Sequence, residues 1–196
     1  MIKASKQKQL VKKIEIEEIQ PGHETKGYIR FISQADNQLW DVIPTILINI
    51  PPGKTQYIEK ENTLSMRLAN RNVTLFSSGK IYVTNTRDLD EAHLILKAIK
   101  KIINEAYRDY LKYGKPSHEE IEMIKNLTWK DIYQYLPKVN CGKCGYPICS
   151  TFAVSVLLGE AILSECELLK EPEYASNIKN LKEKFGSVLV SSLGWH

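Results

Sequence analysis

Residues 75–102, LFSSGKIYVTNTRDLDEAHLILKAIKKI, change their hydrophobic period midway, and that change decides the fold. In the first half Ile81 and Val83 recur every second residue, continuing across the turn signal Ser78-Gly79 the alternation of Val73 and Leu75 around Thr74. A two-residue period puts each set on one face of a sheet. In the second half Leu89, Ala92, Leu96, Ile99, Ile103, Ala106 and Tyr110 recur three and four apart, which is one continuous apolar stripe along a long helix. Asp88 and Glu91 stand at capping-box spacing before that stripe and predict where the helix starts. The helix is expected to lie across the sheet.

Outward from this stretch, Leu64, Met66 and Leu68 alternate with Ser65 and Arg67. Breaks at Glu61-Asn62, Asn70-Arg71-Asn72 and Ser78-Gly79 divide residues 55–85 into a four-stranded antiparallel meander. Further upstream, Ile14 and Ile16 alternate with charges, Pro21-Gly22 is a break, and residues 28–33 read as extended. Residues 37–48 are apolar enough for a helix, against which Pro44 argues, because an interior proline removes a hydrogen bond. Downstream, Gly114-Lys115-Pro116 stops the long helix, Ser117 and Glu120 form a second capping box, and residues 128–136 predict another short helix. The expected organisation is an α+β domain over 1–113, a helical connector over 114–135, and a cysteine-bearing domain over 136–196 with two further helices.

The chain has 196 residues, 43% hydrophobic and 26% charged, the balance of a globular protein of one or two domains. No apolar run approaches the roughly 20 residues of a membrane-spanning helix, and the lysines of MIKASKQKQLVKK precede no apolar core, so a cytoplasmic protein without a secretory signal is expected. The formal net charge is only +4, although Lys3, Lys6, Lys8, Lys12 and Lys13 form a basic arm. That balance is far from a nucleic-acid binder by charge alone.

Cysteine usage is more informative. Cys141, Cys144, Cys149 and Cys166 are the only four, and all follow a cysteine-free run of 140 residues. A disulfide framework spreads its cysteines through a small secreted chain, whereas clustered thiols in a reducing compartment point to a metal. The spacing is C-x2-C-x4-C-x16-C, within LPKVNCGKCGYPICSTFAVSVLLGEAILSEC. Two cysteines two residues apart can place both sulfurs on one small inorganic core, and Gly142 and Gly145 permit the backbone angles of so tight a loop. Pro147 suits a helix's first turn, so Cys149 is expected near a helix N-terminus, where the dipole favours thiolate. Phe152, Val156 and Leu157 are core candidates along that helix, and Gly159 should interrupt it. Zinc ribbons pair two C-x2-C hairpins and plant-type two-iron sites run x4 before x2, so one [4Fe-4S] cluster fits this spacing better than zinc, which stays the alternative.

Two resemblances rest on these residues. Leu136, Pro137, Cys141, Gly142, Cys144, Gly145, Pro147, Cys149, Phe152, Ala153, Gly159 and Cys166 match in place the small four-cysteine [4Fe-4S] domain of the corrinoid iron-sulfur protein large subunit and of the ion-translocating ferredoxin:NAD oxidoreductase. The match covers roughly residues 136–175. It implies that the four cysteines hold one [4Fe-4S] cluster passing single electrons, with a redox partner protein such as a corrinoid protein. The corrinoid barrel and the ion-pumping partners have no counterpart here, so neither complete activity transfers. Residues 75–102 resemble one repeat of the TATA-binding protein. That fold binds DNA through two repeats and paired phenylalanine wedges; Phe76 matches one wedge, Glu61 stands in place of its partner, and an acid there repels phosphate.

The remaining candidates read as structural. His23, His93, His118 and His196 have no second ligand or base at a matching offset, and Lys54 after Pro51-Pro52-Gly53 lacks phosphate-loop spacing and reads as a turn. Tyr107, Tyr110 and Tyr113 form a helix stripe expected to pack. No catalytic triad or carboxylate pair stands out, so an electron carrier or accessory subunit is expected rather than a stand-alone enzyme. The alternatives are a redox-sensing regulator or nucleic-acid-binding module, and an accessory subunit of an anaerobic enzyme complex.

Overall fold

A computed structural model of the chain describes residues 8–22 and 26–196. Lys3 and Lys6 of the basic arm, and His23, lie outside the described residues. The chain divides into a first unit, residues up to 46 with Gln56–Lys115, and a second, Leu47–Thr55 with Pro116–His196.

The first unit is α+β, as expected. Its six strands, β1 (Ile14–Pro21), β2 (Ile29–Ala35), β3 (Thr55–Ile58), β4 (Thr63–Leu68), β5 (Arg71–Phe76) and β6 (Lys80–Thr86), form one sheet in the order β1-β2-β6-β5-β4-β3. The last four are the meander read from the alternation. The two upstream strands extend it, β2 pairing antiparallel with β6 and β1 with β2. Leu68 pairs with Arg71, so the β4–β5 turn is only Ala69-Asn70, both left-handed at φ 47° and 60°. A two-residue hairpin of this hand matches strand twist, and it places Arg71 and Asn72 inside β5 instead of in the expected break.

Register carries two buried rows, apolar except for Ser33, across the sheet on one face. Phe31, Val83, Val73 and Met66 form one, and Ser33, Ile81, Leu75 and Leu64 the other. All eight are buried, and each large aliphatic so placed contributes about 1.5–3 kcal/mol relative to exposure.

Residues 37–48 do not form one helix: α1 is confined to Ile43–Ile48. Pro44 is its second residue, where no intrahelical donor is required, so the proline starts the helix instead of kinking it. The long helix α2 (Leu89–Tyr113) begins as expected, with Asp88 accepting from the Glu91 amide at 2.8 Å, and it packs against β6. Its buried face is Ala92, Ile95, Leu96, Ile99, Ile103, Asn104 and Ala106. Leu89, the first residue of the expected apolar stripe, is 49% exposed, and Tyr113, expected to pack with Tyr107 and Tyr110, is 64% exposed at the last turn. Tyr107 and Tyr110 stack on each other, centroids 6.3 Å apart. Asn104, a polar residue on the apolar face, accepts from the Leu10 and Val11 amides at 2.8 and 3.0 Å and donates to the Val11 carbonyl at 2.8 Å. It satisfies the backbone of the segment leading into β1, which is why burying it is tolerated.

The second unit is helical: α3 (His118–Asn126), α4 (Trp129–Tyr133), α5 (Cys149–Leu157), α6 (Ala175–Phe185) and α7 (Ser187–Ser192), with short 3-10 turns between them. Ser117 with Glu120 and Thr128 with Asp131 are capping boxes. Three helices, not two, follow the cysteine loop, because Gly186 breaks the last helical stretch at φ 80°. Among the described residues no helix is long and apolar enough to cross a membrane.

One electrostatic feature ties α2 to the sheet. Arg71 on β5 donates to the Glu91 carboxylate at 2.6 Å, the two side chains being 12% and 16% exposed, and Arg87 closes on the same carboxylate from its amide and guanidinium. The Arg71 hydrogen bond, seconded by Arg87, holds the Glu91 carboxyl down at about 2. A carboxylate depressed on folding stabilises the fold above its ordinary pKa and loses that contribution as pH falls through the folded value. The first unit is therefore expected to lose stability between about pH 4.5 and 2 more steeply in the wild-type chain than in Glu91→Gln, in urea titrations followed across that range.

Candidate metal centre

The chain enters the site from Leu136, which is buried, and turns through a loop in which Lys138, Asn140, Gly142 and Gly145 have φ of 62°, 51°, 72° and 85°. Four left-handed residues in such a short run coil the backbone tightly around the first two cysteines. The Gly145 amide donates to the Gly142 carbonyl at 3.0 Å and closes the turn between Cys141 and Cys144. A Cβ at Gly142 or Gly145 would meet nothing within 4 Å, so the backbone angle, and not lack of space, selects glycine there.

Cys149 is the first residue of α5, at the helix N-terminus as expected, but Pro147 is not in the first turn: it stands before the helix, ahead of Ile148 at the N-cap. Its amide donates to the Asn140 side-chain oxygen at 2.9 Å. The next amides of this first turn have no intrahelical acceptor and present partial positive charge beside the cysteine. Phe152, Ala153 and Val156 anchor the helix in the core and Tyr146 tilts against Phe152 at 5.5 Å, while α5 packs on α4. Leu157 is only half-buried, because the helix ends there and Gly159 turns the chain away at φ 65°.

Cys166 lies between two 3-10 turns, Leu163–Glu165 and Glu167–Lys170, and is 6% exposed. The turn is clamped from the C-terminal side. The Leu163 amide donates to the Leu193 carbonyl at 2.9 Å, and a Cβ on Gly194 would fall 2.3 Å from the Ile162 Cβ. Burial pushes the Cys166 thiol up; the Leu169 and Leu168 amides oppose this, and the charges of Cys144 and Cys149 add to it. The structure thus brings Cys144, Cys149 and Cys166 into one neighbourhood, with Cys141 exposed on the adjoining turn. Thiolates that repel one another in a partly buried site are stabilised by a positively charged inorganic core, and loading one releases protons. The donor set therefore fits a thiolate-bound metal group.

Two features were not legible in the motif. Asn140 is one. The other is the Leu47–Thr55 segment, which belongs to this unit despite lying about ninety residues upstream. Lys54 donates to the Gly159 carbonyl at 2.6 Å, placing an ammonium at the C-terminal end of α5, where the helix dipole favours it. Gly53 passes so close that a Cβ would lie 2.8 Å from the Leu157 carbonyl oxygen and 2.9 Å from the Leu158 Cα. Pro51-Pro52-Gly53-Lys54 is thus a turn, as expected, and also a brace for the cysteine helix. Of the described histidines, His93 and His118 are exposed, and His196 pairs with the Ser191 hydroxyl at 2.8 Å.

Comparison with known proteins agrees with the four-cysteine resemblance. Residues 136–167 match the family described as "Putative Fe-S cluster". The acetyl-CoA decarbonylase/synthase complex subunit gamma of Methanocaldococcus jannaschii is 44% identical over 61 residues, 31% of this chain and 12% of that protein. The corrinoid/iron-sulfur protein large subunit of Moorella thermoacetica is 44% identical over 45 residues, 23% of this chain and 10% of that protein. An uncharacterized protein of Methanocaldococcus jannaschii is 40% identical over 59 residues, 30% of this chain and 26% of that protein. The chain therefore spans about a tenth to a quarter of the length of these relatives. No solved structure matches the chain significantly. The family match supports an iron–sulfur cofactor at this segment.

The brace is open to test. Gly53→Ala forces the Leu157–Leu158 backbone to move, and such overpacking typically costs about 1–3 kcal/mol. The full-length variant is expected to unfold at lower urea than wild type, with the loss appearing in the tyrosine and tryptophan signals of the second unit.

Proposed function

We propose that this chain is an iron–sulfur accessory protein in which Cys141, Cys144, Cys149 and Cys166 hold one [4Fe-4S] cluster and exchange single electrons with a partner protein. The observation that carries this reading is the burial of Cys166 beside Cys144 and Cys149, since x16 separation gives no local reason for that convergence. The x2, x4, x16 spacing favours the cubane over zinc. A cubane supplies one reversible electron at a potential set by ligand hydrogen bonds, charge and exposure.

The residues around the cysteines divide the work. Cys166, on the buried side, keeps that wall of the site from water, while Cys141 faces outward among Lys138, Val139, Lys143 and Ile148, all exposed. No acid occurs between residues 137 and 148, so this rim favours a partner carrying negative charge near its own redox centre. The similarity to subunits named for corrinoid and acetyl-CoA chemistry supports a corrinoid or related anaerobic partner in the cytoplasm. On this reading the α+β unit, with its resemblance to a TATA-binding-protein repeat, docks the partner. Exposed Glu15, Glu17 and Glu18 along edge strand β1 disfavour nucleic acid as its ligand.

Anaerobic purification followed by iron and labile-sulfide counting tests the reading. Equal iron and sulfide in cubane stoichiometry is expected, with broad brown absorption that Cys144→Ala abolishes. Stoichiometric zinc without sulfide, or an unchanged spectrum in Cys144→Ala, would overturn it.

A further inference from the structure

We propose that Asn140 is a positioning residue for this site: its side chain latches the Cys141–Cys144 loop to the first residue of α5 and sets both ligand groups in register before any cofactor is present. The contact is the 2.9 Å hydrogen bond from the Cys149 amide to Asn140 Oδ1, bridging nine residues of loop. Its chemistry explains the residue. The position has φ 51°, which asparagine tolerates better than other side chains, and it needs a short side chain ending in a neutral acceptor. Glycine keeps the angle and loses the acceptor; aspartate keeps the acceptor and adds a charge; glutamine is one methylene too long. The residue that would ordinarily cap α5, Ile148, has no polar side chain and makes no cap bond. Asn140 does the capping from the far end of the loop.

Capping at this place has a consequence beyond stability. Amide donors to ligand sulfur or cluster sulfide raise a cluster's reduction potential. By occupying the Cys149 amide, Asn140 withholds a donor that sits on a ligand residue itself, and so it keeps the potential low. The latch is a property of the chain alone, whereas its effect on potential rests on the iron–sulfur reading.

Hydrogen exchange of the Cys149 amide in the cofactor-free full-length protein tests the latch directly, with α2 amides as the internal control for folding. Losing one hydrogen bond of ordinary net strength corresponds to a change of about fivefold. Asn140→Gly is expected to speed Cys149 exchange about fivefold while leaving α2 unchanged, and Asn140→Asp to restore wild-type protection. In anaerobically loaded protein, Asn140→Gly should lose iron to a chelator about fivefold faster and titrate at a more positive potential. Asn140→Asp should retain iron as wild type does and titrate at a more negative potential, because it keeps the acceptor and adds negative charge. Unchanged Cys149 exchange in Asn140→Gly, or failure of Asn140→Asp to restore protection, overturns the proposal. A wild-type chain that takes up no iron removes the proposed function, and the exchange comparison still decides the latch.

Discussion

The packing of α5 on α4 is the constraint on which the cysteine site depends. Phe152, Ala153 and Val156 bury one side of a helix of only nine residues. A helix so short is not stable on its own, so its direction is set by that burial. Its first residue is Cys149, and burying the helix therefore also aims a thiol. The remaining contacts hold the two ends of the same lever: Asn140 takes the amide at its N-terminus, and Lys54 takes the Gly159 carbonyl just past its C-terminus. The Leu193–Gly194 turn secures Cys166 from a third direction.

The first unit is built on a different principle. Two apolar rows across the sheet and the buried face of α2 supply its core, and the Arg71–Glu91 pair fixes where the helix starts relative to β5. Charge is placed here for orientation: a carboxylate shared by Arg71, Arg87 and the helix's first turn favours one helix orientation over others. All four cysteines lie in the second unit.

Much of this was legible in the chain. The change from a two-residue to a 3.6-residue period marked the β6–α2 junction, because alternation and helical spacing leave different imprints on the same apolar residues. The capping box at Ser117 was equally readable, since its partner Glu120 lies only three residues on. Where reading failed, the determining contact was distant or end-dependent. Leu89 fits the apolar stripe and is exposed because the helix begins beyond its packing partner; Ile95 was passed over and is buried because the stripe is wider than one line of residues. Asn104 carries no signal of its role in the sequence, and only the backbone of Leu10 and Val11 gives it a purpose.

The sequence by itself determined the four thiols, their spacing, the glycines that let the loop coil and the placing of Cys149 near a helix N-terminus, because each acts through bonds only a few residues long. Tertiary structure decided that Cys166 is buried beside Cys144 and Cys149, that Asn140 reaches the amide of Cys149, and that residues 47–55 brace the far end of the cysteine helix. Those facts depend on which surfaces meet after the chain has collapsed. Close approach between segments about a hundred residues apart, such as Gly53 against Leu157, leaves no periodic trace in the order of amino acids.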